Sequence, residues 1–264
     1  MKNAALSPIS NVHGAPLAVF VATKAELKPL SRALRPTYRS DSRVESVARV
    51  GVDGRELVLA RTGMGPERAE AAGRRLFDEV PVAAAFALGV AAGLSPQLRT
   101  GDLIVGDPVF FRQRKGRAPE SFPSDPRLQE SALAALRRSG DRYYLGPIVT
   151  VERIILAAEE KHHLAAESGA IGVDMESAAI ASAASAHGIP FLAIRAILDP
   201  VEKDLKIAFD QFLDGRGEPR PVPLFRYLVT HPLALFRLGG LGLRTNAVCA
   251  RLGRLLRELS TLPS

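Results

Sequence analysis

The sequence predicts an α/β fold built on one central mixed sheet, and three observations predict it. Short apolar runs alternate with helical patterns through most of the 264 residues. Some runs, such as Leu-Ala-Val-Phe-Val-Ala at 17–22, are apolar at every position, as strands covered on both faces are. Asp53-Gly54 lies between two extended stretches, a hairpin signal that a purely parallel sheet does not contain. The expected architecture is a three-layer sandwich around a twisted mixed sheet, with a basic, apolar helical appendage at the C-terminus.

Each element has its own warrant. Leu17–Ala22 reads as a buried strand, and Ser46–Val52 and Glu56–Arg61 as the two arms of the hairpin. Glu67–Glu79 reads as a helix, opened by Gly65-Pro66 with proline near its first turn, where a missing N–H costs nothing. Val82–Leu88 and Leu103–Val105 are further strands, Arg127–Arg138 is helical, and Gly146–Val151 is extended. Met175–Ala186 reads as an alanine-rich helix and Pro190–Leu198 as another buried strand. Phe111–Pro126, with four basic residues and then prolines, reads as a surface loop or active-site flap. Asp199–Pro223, charged and then rich in glycine and proline, reads as a linker or lid.

Composition limits the function. The single Cys249 excludes an internal disulfide framework and a cysteine-cluster metal site. No apolar run reaches the roughly 18 residues of a transmembrane helix, and Met1–Pro16 does not resemble a signal peptide. A cytoplasmic chain is therefore expected. The net charge of +7 is concentrated at one end: from Arg216 onward there are eight arginines and two glutamates. Residues 1–215 are expected to form the main domain and 216–264 the appendage. In the appendage, arginines interrupt Leu/Phe-rich stretches, a pattern suited to lying on an anionic membrane or to packing as extra helices with wet arginines.

Four short segments carry the candidate chemistry. Glu26 follows the first strand, where α/β sheets place ligand-binding groups; it equally suits the first turn of a helix. Arg61-Thr-Gly63-Met-Gly65-Pro joins a strand to a helix, and its amides with Arg61 suit an anion, or simply make a tight turn. Gly89 and Gly93 follow an apolar strand, where small residues allow a ligand close to the backbone or close helix packing. Asp174, Met175 and Glu176 open the alanine-rich helix, and Asp199 closes the later buried strand. A buried carboxylate is costly without partners, so such positions point to a site.

In order and context these segments resemble the purine nucleoside phosphorylase/nucleosidase superfamily, from about Leu17 to about Phe212. Val173–Ala181 is similar to that family's ribose-binding helix, and Arg195-Ala-Ile-Leu-Asp199 to its Arg-Ala-Ile-Ser-Asp strand end. The resemblance implies cleavage of the N-glycosidic bond of a purine nucleoside, with adenine as the base. Glu176 would bind ribose hydroxyls and Met175 would pack on the sugar. Asp199 would protonate or hold the base at N7, and Glu26 would activate water as in methylthioadenosine/adenosylhomocysteine nucleosidases. Gly89 and Gly93 would border the substrate. Arg61, Gly63 and Gly65 would hold phosphate, the possible co-substrate; no metal or other cofactor is implied.

Three positions depart from the pattern. Val90 replaces a serine, Leu88 a phosphate-binding arginine, and Asp174 the more usual glutamate. Hydrolysis and phosphorolysis both remain open. With the appendage, the layout is similar to the hopanoid-associated phosphorylases, which implies a lipid-linked substrate such as adenosylhopane, peripheral contact with the inner face of the membrane, and a homo-oligomer. The alternatives are a soluble hydrolytic nucleosidase and a non-enzymatic basic module that binds membrane or nucleic acid. The buried carboxylates argue against the last, and no nucleic-acid partner is expected.

Overall fold

A computed structural model describes residues 14–41, 46–112, 120–204 and 207–261. Its elements run β1 (Leu17–Val21), α1 (Lys24–Leu34), β2 (Tyr38–Asp41), β3 (Val47–Val52), β4 (Arg55–Arg61), α2 (Pro66–Glu79), β5 (Ala84–Gly93), β6 (Leu103–Phe111) and β7 (Ser121–Phe122). They continue with α3 (Pro126–Ser139), β8 (Tyr143–Thr150), α4 (Ala158–Ser168), β9 (Gly172–Asp174), α5 (Ser177–Ala186), β10 (Phe191–Asp199), α6 (Pro221–Thr230) and α7 (Pro232–Ser260).

One mixed sheet joins the strands in the order β10-β6-β8-β9-β5-β1-β4-β3-β2, with β7 on β6. The pairs β1–β4, β1–β5 and β5–β10 are parallel, and β3–β4 is the antiparallel hairpin. Asp53 (φ 47°) and Gly54 (φ 82°) turn that hairpin with two left-handed residues, the geometry that matches strand twist. Because β10 pairs with both β6 and β5, the strands β5, β9, β8, β6 and β10 close on themselves into a ring.

Helices cover both faces. Leu30 and Leu34 of α1, Ala132 and Leu136 of α3, and Val248, Leu252 and Leu256 of α7 join one face of the sheet in a single apolar cluster. Ala69, Leu76 and Phe77 of α2 and the alanines of α5 form the cluster on the other face. The small side chains of α5 permit close approach: a Cβ at Gly73 would lie 2.9 Å from Ala183 Cβ.

Several elements differ from expectation, each for a local reason. The alanine-rich helix begins at Ser177, because Glu176 (φ −134°, ψ −29°) is its non-helical cap and Asp174 ends β9. The strand expected to stop at Leu88 runs on to Gly93, so Gly89 and Gly93 belong to the sheet. The strand expected at 103–105 extends to Phe111, and part of the expected flap pairs with it as β7. Residues 113–119 of that flap lie outside the described residues.

The expected boundary at residue 215 does not separate two cores. Leu252 and Leu256 are fully buried in the main cluster, against α1. A Cβ at Gly253 would overlap the Leu30 carbonyl oxygen and stand 2.9 Å from Ala33 Cβ, so the two helices touch backbone to backbone. Arg251 pairs with Asp141, and Arg257 Nε with Asp53 at 2.7 Å. Only the earlier part of the C-terminal segment, α6 and the start of α7, stands apart, around its own cluster of Ile207, Phe212, Tyr227 and Ala234. No helix among the described residues is long and apolar enough to cross a membrane.

Candidate active site

The carboxyl ends of β1, β5, β8, β9 and β10 meet at a cavity of about 250 Å³, the end of the strands where α/β sheets place their ligands. Glu26, Val90, Met175, Glu176 and Asp199 all line it. A cleft of about 560 Å³ adjoins it, sharing Met64, Arg153, Met175, Phe209 and Leu213.

Glu26 satisfies both sequence readings at once. It is the third residue of α1 and completes a capping box: Thr23 N–H and Thr23 Oγ1 donate to Oε2 at 2.9 and 2.8 Å. Its other oxygen, Oε1, accepts the Val90 N–H at 3.0 Å. The cap fixes a carboxylate that is only 5% exposed against the end of β5. Gly89 makes room for it, since a Cβ there would lie 2.6 Å from both Glu26 Oε1 and Arg195 Nη1. Gly93 instead meets Leu98 and Ile197 at ordinary packing distances, and does not line the cavity.

Arg195, on β10, ties the opposite wall together. Its Nη2 lies 2.7 Å from Asp174 Oδ2 and 3.6 Å from Glu176 Oε2, and its Nε donates to Ser177 Oγ at 3.0 Å. Asp174 also accepts Thr150 Oγ1 at 2.7 Å and the Ser177 N–H at 3.1 Å. A fully paired buried charge of this kind organises a wall, and removing one partner leaves the other uncompensated. Asp174 is thus the anchor beneath α5, and it lines the cavity together with Glu176. Glu176 Oε1 accepts the Gly65 N–H at 3.0 Å. Burial, reinforced by Asp174 and Glu26 and opposed by Arg195, pushes its carboxyl up to about 8.

The loop expected to hold an anion is engaged within the protein. Gly63 N–H donates to Ala22 O, Met64 N–H to Arg216 O, and Gly65 N–H to Glu176. Arg61 donates to Glu218 Oε1 at 3.1 Å and to Ser46 Oγ at 3.0 Å. Arg61, Gly63 and Gly65 therefore hold the site's frame, with the Gly63 and Gly65 amides and the Arg61 guanidinium bonded within the protein.

Asp199 ends β10 after an irregularity in its pairing with β5, which aims the terminal carboxylate at the cavity. Burial raises its pKa, while the ammonium of Lys161 opposes the rise. Lys161 Nζ stands 2.5 Å from Asp199 Oδ2, and Lys161 is fully buried. Sequence reasoning missed this residue: it sits on α4 between charged neighbours, and nothing in Ala-Glu-Glu-Lys-His-His-Leu shows that it points inward. It also missed Phe209, Leu213, Leu241 and Thr245, which reach the cavity from the segment after β10 and from α7.

Buried carboxylates on facing walls of one cavity, at the carboxyl ends of parallel strands, define an α/β enzyme site equipped for acid–base work. The family model described as Phosphorylase superfamily matches residues 16–220, and the chain belongs to that superfamily. It is thereby an enzyme of the nucleoside phosphorylase or nucleosidase kind.

Curated relatives include the 5′-methylthioadenosine/S-adenosylhomocysteine nucleosidases of Actinobacillus succinogenes, 28% identical over 61% of this chain and 76% of that protein, and of Lysinibacillus sphaericus, 27% identical over 75% and 91%. Among solved structures, the corresponding nucleosidase of Campylobacter jejuni superposes with a TM-score of 0.72 at 17% identity, covering 94% of this chain and all of that one. The futalosine hydrolase of Helicobacter pylori superposes with a TM-score of 0.67 at 18% identity, over 80% of this chain and 95% of that one. These similarities confirm the mixed-sheet α/β fold.

Proposed function

We propose that this enzyme hydrolyses the N-glycosidic bond of an adenine nucleoside carrying an apolar 5′ group. The observation that carries the reading is the nucleophile side of the cavity. It presents a capped, buried carboxylate, Glu26, while the amides of Gly63–Gly65 and the guanidinium of Arg61 are engaged elsewhere. That arrangement suits a base that activates water better than a cradle for phosphate. The curated relatives, named as nucleosidases, support it.

In this reaction Asp199 gives its proton to N7 of the base. The C1′–N9 bond breaks with its electron pair leaving on the purine. Glu26 takes a proton from water as the water oxygen bonds to C1′. Glu176 accepts hydrogen bonds from the ribose hydroxyls, which anchor the sugar while positive charge develops on it. Met175 and Met64 flank the sugar, and Phe209, Leu213 and Leu241 offer an apolar wall for the 5′ group. The test is product analysis on 5′-methylthioadenosine, with and without phosphate. Free sugar and an unchanged rate without phosphate support hydrolysis; a sugar 1-phosphate and a rate that follows phosphate overturn it.

A second reading, phosphorolysis of a lipid-linked nucleoside such as adenosylhopane, draws on a different observation. Val222, Phe225 and Val229 on α6 and Phe236 and Leu243 on α7 are exposed, with Phe225 at 70% and Phe236 at 79%. No acidic residue occurs between Glu218 and Glu258. An apolar and basic surface beside the cavity suits a substrate presented from an anionic membrane. Vesicle-borne and soluble adenine nucleosides compared on one enzyme preparation separate the two substrate classes.

A further inference from the structure

Lys161 is one of seven lysines and is wholly buried, an expensive place for an ammonium unless it has work there. Its Nζ donates to Pro200 O at 3.2 Å and to Lys203 O at 2.6 Å, the two carbonyls that follow Asp199 in the chain. In return, Asp204 caps α4 by accepting the Ala158 N–H at 2.8 Å. Helix α4 and the turn after β10 therefore hold each other, with Asp199 between them. The ammonium is 2.5 Å from Asp199 Oδ2, but the approach lacks hydrogen-bond direction, and Oδ2 is buried with no other partner. The ammonium shares its protons with the two carbonyls, and its closeness to the carboxylate favours the ionised form.

We infer that Lys161 is the positioning residue for Asp199: it fixes the end of β10 and balances the negative charge left on the carboxylate when its proton passes to the leaving base. The inference rests on the reading of Asp199 as the acid. Proton balance is simple. Asp199 starts protonated and ends ionised beside an ammonium that stays protonated throughout, and the base leaves with the proton at N7. Without Lys161 the carboxylate would be stranded in a desolvated pocket, where its ionisation is disfavoured. Among the described residues, the other charged groups acting on Asp199 are Lys203, which favours the ionised form, and Asp204, which disfavours it. Both belong to the turn that follows β10, and Lys161 alone reaches Asp199 from α4.

The test uses the full chain and release of adenine from 5′-methylthioadenosine. Lys161→Met removes both charge and donors, whereas Lys161→Gln removes the charge and keeps donors for the two carbonyls. Both are expected to lower kcat by roughly tenfold or more with little change in KM, the ceiling being the roughly 10²–10⁴-fold that acid catalysis itself supplies. Their alkaline limb, where Asp199 loses its proton, is expected to move up by about one pH unit or more, because the ammonium no longer favours ionisation. Asp199→Asn combined with Lys161→Gln is expected to be no slower than Asp199→Asn alone.

A limb that stays in place in a variant with wild-type circular dichroism, or losses that multiply in the double variant, overturns the inference. Should neither variant fold, the Lys161 ¹⁵Nζ resonance of the wild type decides. It is expected to follow the Asp199 titration, and a silent signal overturns the proposal. If the wild type releases no adenine, it is the functional reading that has failed, and the ¹⁵N titration still tests the pairing by itself.

Discussion

Glu176 Oε1 accepts the N–H of Gly65 across 111 residues of sequence, at 3.0 Å. The contact joins the cap of α5 to the cap of α2, so two segments that look like separate motifs form one wall. It also gives the Gly65 amide a partner inside the protein and holds the Glu176 carboxyl at the cavity.

Glu26→Gln keeps the size of the side chain and can still accept hydrogen bonds through its amide oxygen, but it cannot take a proton from water. Hydrolysis is expected to fall by roughly 10²–10⁴-fold, the usual contribution of a general base. Rates with 5′-methylthioadenosine, at equal folded protein, check this, and activity near wild type would remove Glu26 from the reaction.

Glu176 provides a test by pH. Its folded pKa, about 8, is above the usual carboxylate value, so the folded state holds a proton that the unfolded state has released. Its effect on stability is thus fully favourable below the unfolded pKa and is lost as pH rises through about 8. Glu176→Gln cannot titrate, so its stability relative to wild type is expected to rise steadily from pH 5 to pH 8.5. Urea denaturation of both proteins at each pH measures the difference, and parallel curves would contradict the buried titration. The same variant is expected to lose far more activity on ribosides than on 2′-deoxyribosides.

Gly89→Ala introduces a Cβ where Glu26 Oε1 and Arg195 Nη1 both stand at 2.6 Å. Neither charged group can retreat without losing a buried partner. The expected result is a loss of activity of at least tenfold, with destabilisation of roughly 1–3 kcal/mol, the range for overpacking a filled site. Thermal unfolding and turnover of the same sample report the two effects.

Gly253→Ala strikes the other kind of close approach, between α7 and the backbone of α1. About 1–3 kcal/mol of stability is expected to go, lowering Tm by several degrees in a protein of this size. A chain cut near Gly215 would lose Leu252 and Leu256 from the main cluster and is expected to be insoluble. Recovery of soluble, active enzyme from that truncation would show that α7 is dispensable.

The exposed face of α6 gives a separate prediction. Val222→Ser with Phe225→Ser is expected to reduce sedimentation with anionic vesicles while turnover of soluble 5′-methylthioadenosine stays at the wild-type level. If the unaltered enzyme does not sediment with vesicles, the lipid-surface reading has no support.

Legibility in the sequence followed how local each determinant is. The buried strand at 17–21 and the Asp53-Gly54 turn are written in adjacent residues, and so is the Gly65-Pro66 helix start. Glu26 and Asp199 stand out because each follows or ends a buried strand, and Glu176 because a carboxylate opens an alanine-rich helix. What stayed hidden depends on partners distant in sequence. The engagement of Arg61 by Glu218 spans 157 residues, and no pattern around Arg61 announces it. Lys161 is inward only because α4 packs over the end of β10. Of the two readings of the C-terminal segment, the packing of α7 on the domain depends on distant partners in the same way. Its arginines gave it a wet appearance, yet Arg251 and Arg257 reach back to acidic residues and leave the leucines between them for the core.

The pairing of α1 with α7 sets the order in which the enzyme can become competent. Asp53 and Arg257 meet across 204 residues, and Leu30 lies under Gly253. Contacts of such sequence separation form late and slowly, because a long stretch of chain must be ordered before they repay its entropy. The helix that carries Glu26 gains its outer cover only at that last step, and Leu241 and Thr245 arrive with it. In synthesis from the N-terminus, the strands and their carboxylates emerge before α7, the helix that brings Leu241 and Thr245 to the cavity.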